Sequence, residues 1–345
     1  MKVVVFKLNH LGDNVVFVPA LQALRRRCPE LKITLLTTPE AAALYGGPLG
    51  PHEVVVVPKR SFDRSHLRPW LLTLWMWRIR RMHPEACLVS FDQGTVAHAV
   101  AKFTGARIRI GAKLGHIRIR RSLTAEIPLP RDSSPVTWNW KMAEALAQSL
   151  CRDEAWPVLV PPPNLRHLRA AEPKPAGGRR RIVVHSGARG RLNQWPLASF
   201  ASVARTLSTD FDVDWIEHGA TTGPAPAGTH SVPVDSLNDF AARLSGADLF
   251  LGNNSGPMHL ANALGCPGVA VTGPSAMGWN PYWHRERWTV LRHPNLYCAP
   301  CEVLNRELRG CANLENPMAC LKYWMAEMVA DACRSRLEAQ PGRQT

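Results

Sequence analysis

Asp13 stands in a Leu11-Gly12-Asp13 turn directly after the apolar run Val3–Phe6. A carboxylate placed there can take a proton from a hydroxyl brought up to it. It can equally cap the helix that follows, and the local sequence leaves both roles open. A second turn, Asn253-Asn254-Ser255-Gly256-Pro257-Met258-His259, follows Asp248–Leu251. Ser255 suits an N-cap, Pro257 suits a first helical turn, and Gly256 lets an anion approach the backbone N–H groups closely. His259 can bond the same anion or face the core. A third stretch runs from His185 and Ser186 through Gly187, Arg189, Gly190, Arg191 and Asn193 to Trp195-Pro196. It reads as a flexible basic loop whose arginine forks fit diphosphate oxygens, or as a solvated surface loop. A base on one side and an anion cradle on the other is an arrangement for group transfer.

The elements around these turns set the expected fold. Short apolar runs alternate with helical patterns: strands at Val3–Leu8, Ile33–Thr37, Glu53–Val57, Ala86–Phe91 and Ile108–Ile110; helices at Asn14–Arg27, Pro39–Tyr45, Pro69–Met82, Thr95–Phe103 and Trp138–Leu150. This pattern predicts an α/β, doubly wound parallel sheet over residues 1–160. Residues 161–181, rich in Pro and ending in Gly177-Gly178 and three arginines, read as a linker. The alternation restarts over 182–320, with strands at Ile182–His185, Val213–Glu217, Asp248–Leu251 and Gly268–Thr272. Gly273-Pro274-Ser275 closes the last of these. Residues 321–345 read as a C-terminal helix, Leu321–Leu337, that returns towards the first domain, and a frayed tail. The two domains are expected to face each other across a cleft.

The 345 residues favour two domains over one, and 46% hydrophobic content lets both bury cores. The net charge is +15, and residues 1–160 hold 23 Lys and Arg against 12 Asp and Glu. Such a surface suits phosphorylated or acidic substrates or an anionic membrane, or is simply solvated. No secretory hydrophobic region follows Lys2, and no run of 18 apolar residues exists. With nine cysteines, this leads us to expect a cytoplasmic protein with reduced thiols.

Taken in order, the motifs resemble glycosyltransferase family nine, the ADP-heptose:lipopolysaccharide heptosyltransferases and relatives. The residues that carry this are Leu11-Gly12-Asp13 with Pro19-Ala20-Leu21 and Leu24-Arg25, Thr104-Gly105-Ala106 with Arg109-Ile110-Gly111, and Trp195-Pro196. Asn253 to Ala261, Ala263-Leu264-Gly265 and Gly273-Pro274 complete the set. The resemblance implies a GT-B architecture of two Rossmann-like domains, with the acceptor on the first and the nucleotide sugar on the second. It implies metal-independent inversion at the anomeric carbon with Asp13 as base. Ser186, Arg189, Arg191, Asn193, Asn254, Ser255, Gly256, Pro257, Met258 and His259 are expected at the donor. Asn9, His10 and Gly12, with Lys113 and Arg120 from a second basic cluster, are expected at the acceptor. Three positions depart from the family pattern: Asn254 replaces an aspartate, Asn193 replaces a cation, and Gly219–Thr222 lacks an acidic residue expected near the ribose.

Two features stand outside that scheme. Cys298-x-x-Cys301 with Cys311 and Cys320 could hold a structural zinc or iron, or could be free thiols. Pro69–Met82 is aromatic and basic, and could lie in a membrane interface or pack in the core. The function expected is transfer of a sugar, most readily heptose, from a nucleotide-diphosphate donor to a hydroxyl acceptor, with peripheral contact with an anionic membrane at the inner face and no nucleic-acid partner. The rival reading is a catalytically weak sugar-nucleotide or polyanion-binding module.

Overall fold

The computed structural model describes residues 1–58, 69–90, 95–113, 121–130, 133–151, 155–168, 178–301 and 310–339. Arg118 and Arg120 lie outside these residues. The chain divides into two compact units, Met1–Asn164 and Leu165–Thr345.

The first unit runs β1 (Lys2–Lys7), α1 (Leu11–Val15), α2 (Val18–Arg27), β2 (Lys32–Thr37), a 3-10 segment (Pro39–Tyr45) and β3 (Glu53–Val56). It continues with α3 (Pro69–Arg81), β4 (Ala86–Val89), α4 (Thr95–Phe103), β5 (Ile108–Ala112), β6 (Ala125–Ile127) and α5 (Pro135–Leu150). The strands form one parallel sheet in the order β3-β2-β1-β4-β5-β6. Residues Val3 to Phe6 are buried without alternation, as a central parallel strand covered on both faces requires.

The second unit repeats this plan. It runs β7 (Arg181–His185), α6 (Leu197–Ser208), β8 (Asp212–Glu217), β9 (His230–Pro233), α7 (Leu237–Ser245) and β10 (Leu249–Asn253). Then come α8 (Gly256–Ala263), β11 (Gly268–Thr272), β12 (Trp288–Arg292), α9 (Ala319–Lys322) and α10 (Ala326–Glu338). The sheet order β12-β11-β10-β7-β8-β9 is the first sheet's order again, all parallel. Each unit is a Rossmann-like, doubly wound sheet, and each has a switch point where the strand order reverses: β1/β4 in one, β7/β10 in the other.

Several local expectations change. The single helix expected over Asn14–Arg27 is two, because the chain turns at Val16–Phe17 and Pro19 opens α2. The C-terminal helix is also two, α9 and α10. Val329, Ala330, Cys333 and Leu337 join the second unit's core with Phe200, Val203 and Leu207 of α6. Gly273 does not follow the last strand, since β12 lies beyond it. Part of the Pro-rich stretch is tied down, with the Gln22 amide donating to the Asn164 carbonyl and accepting from its N–H. Finally, Cys28 and Cys151 form a disulfide between the ends of α2 and α5, 123 residues apart in sequence. The other seven cysteines form no disulfide, so the expectation of wholly reduced thiols fails at this pair.

Candidate functional site

In the first unit, the turn after β1 sits at the switch point. His10, not Asp13, occupies the N-cap position of α1, and Asp13 is the third residue inside the helix. The geometry therefore removes the N-cap role that the sequence left open for Asp13. The side chain of Asn14 holds the turn in place. Its amide donates to the carbonyls of Asn9 (3.0 Å) and His10 (2.9 Å). Its carbonyl oxygen accepts from Thr37 Oγ1 (3.0 Å) and from Tyr45 Oη (2.7 Å). Asn14 is fully buried, so these four bonds fasten the Asp13 turn to the end of β2 and to the 3-10 segment. Burial, and then the negative charge of Asp13, push the Tyr45 phenol well above its usual range, so it remains a neutral donor. Lys7, fully buried at the end of β1, reaches the Ser90 carbonyl beyond β4 at 3.5 Å and lies over the Phe17 ring. Asn9 Oδ1 is buried with no hydrogen-bond partner among the described residues. Asn9, His10 and Asp13 are half-buried, Gly12 is buried, and Lys113 is exposed just past β5.

The second unit's switch point is tied by Asn253, the last residue of β10. Its amide nitrogen donates to the Ser186 carbonyl (2.8 Å) beyond β7, and its oxygen accepts from the Trp195 backbone N–H (2.8 Å). Gln194 adds a bond to the Thr221 carbonyl, and the Ser186 hydroxyl donates to the Thr222 carbonyl. Trp195 is fully buried, edge-on to Phe200, with its indole N–H on the Trp324 carbonyl. A Cβ on Gly187 would sit 3.0–3.2 Å from the side chains of Thr221, Thr222 and His185, so a larger residue would require these neighbours to give by a few tenths of an ångström. The loop expected to be flexible is thus anchored at both ends, and Arg189 and Arg191 are exposed between the anchors.

At α8, Ser255 holds the N-cap position, but its hydroxyl donates to the Asn253 carbonyl (3.3 Å) and caps no helical N–H. The first-turn donors therefore remain available to an anion. Asn254 is buried, and its amide nitrogen has no hydrogen-bond partner among the described residues. Met258 is fully buried, backbone included, so the structure presents no group of it at the surface. Burial pushes His259 down to about 4, and its ring packs edge-on against Trp279. His185 is likewise down at about 4, from burial and then from His218. At neutral pH both imidazoles are uncharged, so cationic help for a bound anion comes from the arginines. Sequence reasoning overlooked Asn14 and the bridging role of Asn253. The readable signal was a polar residue in a run that is otherwise apolar.

The four cysteines share one cavity, lined by Cys298, Cys301, Cys311 and Cys320 with Leu192, Pro274 and Met318. The Met318 N–H donates to Cys311 Sγ at 3.2 Å. Burial, and then the neighbouring Cys301 and Cys311, push the Cys320 thiol up to about 11. The four thiols line one small apolar space, but no three of their Sγ atoms lie within 4.8 Å of one another, so the structure does not bring them to the close spacing expected of metal ligands. Among the described residues the group that meets this spacing is Cys28, Glu30 and Cys151, whose two cysteines are joined in the disulfide.

Residues 226–311 match the model of glycosyltransferase family 9 (heptosyltransferase). Lipopolysaccharide heptosyltransferase 3 of Escherichia coli is 22% identical over 79% of this chain and 83% of its own length. The E. coli heptosyltransferase WaaC with ADP-2-deoxy-2-fluoro heptose superposes with a TM-score of 0.70, at 16% identity, over 97% of this chain and 99% of that one. The iron-containing dodecameric glycosyltransferase TibC of enterotoxigenic E. coli H10407 superposes with a TM-score of 0.60, at 14% identity, over 98% and 76%. The structural likenesses show the fold, a GT-B pair of Rossmann-like units. In sequence the chain is similar to family-9 heptosyltransferases over residues 226–311 and, at 22% identity, to the E. coli enzyme along most of its length.

Proposed function

We propose that this chain transfers heptose from ADP-heptose, or a close nucleotide-diphosphate sugar, to an acceptor hydroxyl on a glycan, a lipid-linked glycan, a protein or a small molecule. The acceptor oxygen attacks the anomeric carbon from the face opposite the diphosphate. The bond from that carbon to the diphosphate oxygen breaks, the configuration inverts, and Asp13 takes the hydroxyl proton. Asn9, His10, Gly12 and Lys113 meet the acceptor. ADP leaves with its new charge held by the N–H of Gly256 at the uncapped start of α8, by the Asn254 amide, and by Arg189 and Arg191. Asn193 brings no charge to this loop, so the two arginines take up the cationic task. Ser186 and the uncharged His259 shape the cradle. The observation that carries the proposal is the uncapped start of α8 beside a buried Asn254 amide without a partner, at the switch point of a doubly wound sheet.

Cys298, Cys301, Cys311 and Cys320 hold a structural zinc or iron in this reading, as suits four thiolates in one cavity, and TibC is described as iron-containing. The metal would organise a loop; the proton and the leaving group are handled by the residues named above. No helix among the described residues is long and apolar enough to cross a membrane.

The arginine assignment has its own test. Arg189→Ala with Arg191→Ala weakens ADP binding by roughly tenfold or more and leaves adenosine binding nearly unchanged, because a charge-assisted contact to phosphate is lost. Isothermal calorimetry with both ligands reads this out. Equal losses for ADP and adenosine would show that the loop acts through folding instead.

A further inference from the structure

Helix α3 has two apolar faces, and among the described residues only one packs into the core. Ile79 is fully buried and Trp75 nearly so, both in the first unit's core with Val89, Val96 and Val100. On the opposite side, Trp70 is 61% exposed, Leu74 51% and Trp77 56%. The spacing i, i+4, i+7 places these three on a single stripe, turned about half a circle from Ile79. Arg81 extends the stripe and lies over the Trp77 ring, 4.5 Å from its centroid. Arg78 and Arg80, also exposed, flank it. The helix contains no Asp or Glu.

A core helix gains nothing by presenting two tryptophans and a leucine to water, and a stripe of this kind marks a docking surface. We propose that α3 seats the protein on an anionic lipid surface, with the Trp70, Leu74 and Trp77 side chains entering the headgroup boundary and Arg78, Arg80 and Arg81 meeting lipid phosphates. The chemistry chooses this occupant. Tryptophan has an apolar body and a polar N–H, and favours the boundary between headgroups and acyl chains. The arginines lie at one end of a helix without acidic residues, so the surface must find its counter-charge elsewhere. A second copy of this helix brings only more arginine; an anionic leaflet supplies the missing charge. The net charge of +15 points the same way. The sequence posed membrane contact and core packing as alternatives for this segment, and the structure buries one face and leaves the other exposed. The inference stands apart from the donor chemistry and survives its failure.

Flotation of the full chain with vesicles tests it. The protein is expected to float with phosphatidylcholine vesicles containing phosphatidylglycerol, not with phosphatidylcholine alone, and to be released by high salt. Trp70→Ser with Leu74→Ser and Trp77→Ser should cut the partition coefficient by roughly tenfold or more, with an unchanged melting temperature because all three are exposed. Arg78→Gln with Arg80→Gln and Arg81→Gln should weaken binding and flatten its salt dependence. Equal flotation of the wild type and the serine variant, or no flotation at all, overturns the proposal. So does a wild-type dimer in sedimentation that becomes a monomer in the serine variant, since the stripe would then belong to a second copy.

Discussion

Asp13→Asn is expected to lower turnover by about 10²–10⁴-fold, the usual worth of a general base, with ADP affinity and melting temperature unchanged. The substitution is nearly isosteric, and the turn that presents residue 13 is held by its neighbour. Asn14 makes the four bonds that fix the loop, and His10 supplies the N-cap position, so the fold does not depend on the Asp13 carboxylate for a cap. The measurement is ADP release from ADP-heptose in the presence of an acceptor-bearing cell extract, for wild type and variant side by side. If the variant keeps turnover within a few-fold of wild type, the carboxylate carries no proton and the acceptor is activated by another group.

The second large effect concerns the cysteine cavity. Protein purified without chelator should contain zinc or iron near one equivalent per chain, roughly the stoichiometry of a four-thiolate site. Metal affinity of this kind appears as folding stability. Cys320 and Leu321 lie in α9, and Leu321 packs against Gly273 just past β11, where a Cβ on the glycine would come within 2.9 Å of the leucine. Stripping the metal should therefore loosen the described part of this segment and lower the melting temperature by several degrees. Transfer should survive in part, since Asp13 lies in the other unit. Cys298→Ser should abolish metal retention, whereas Cys151→Ser should not, which separates this site from the Cys28–Glu30–Cys151 group. A metal content near zero, with all four thiols freely reactive in the native protein, would remove the assignment.

The central sheets were legible because buried parallel strands are written as uninterrupted apolar runs, as in Val3–Phe6 and Leu249–Leu251. The strands that escaped notice, β6, β9 and β12, all lie at sheet edges. Each is short or mixes charged residues with apolar ones, as an edge half-open to water permits: Ala125-Glu126-Ile127 and His230-Ser231-Val232-Pro233 carry almost no periodic signal. The break between α1 and α2 was hidden by a run of apolar residues, although Pro19 near the start of α2 was a readable warning. Both candidate turns were visible, because glycine and proline mark them and they follow strands. What holds them was not. Asn14 meets Thr37 and Tyr45 from 23 and 31 residues away, and Asn253 meets Ser186 from 67 residues away, so neither contact has a local signature. The Cys28–Cys151 pairing spans 123 residues and was out of reach for the same reason.

Calorimetric titration of the intact protein with ADP, UDP and GDP, repeated at two salt concentrations, tests the central claim most directly. The account predicts that ADP binds at least about tenfold more tightly than the other two, and that its preference persists at high salt, because an adenine-bearing diphosphate is held by a built cradle and not by net charge alone. Indifference among the three nucleotides, with binding that extends to any polyanion and collapses as salt rises, would contradict it and assign the basic surface to a polyanion-binding module.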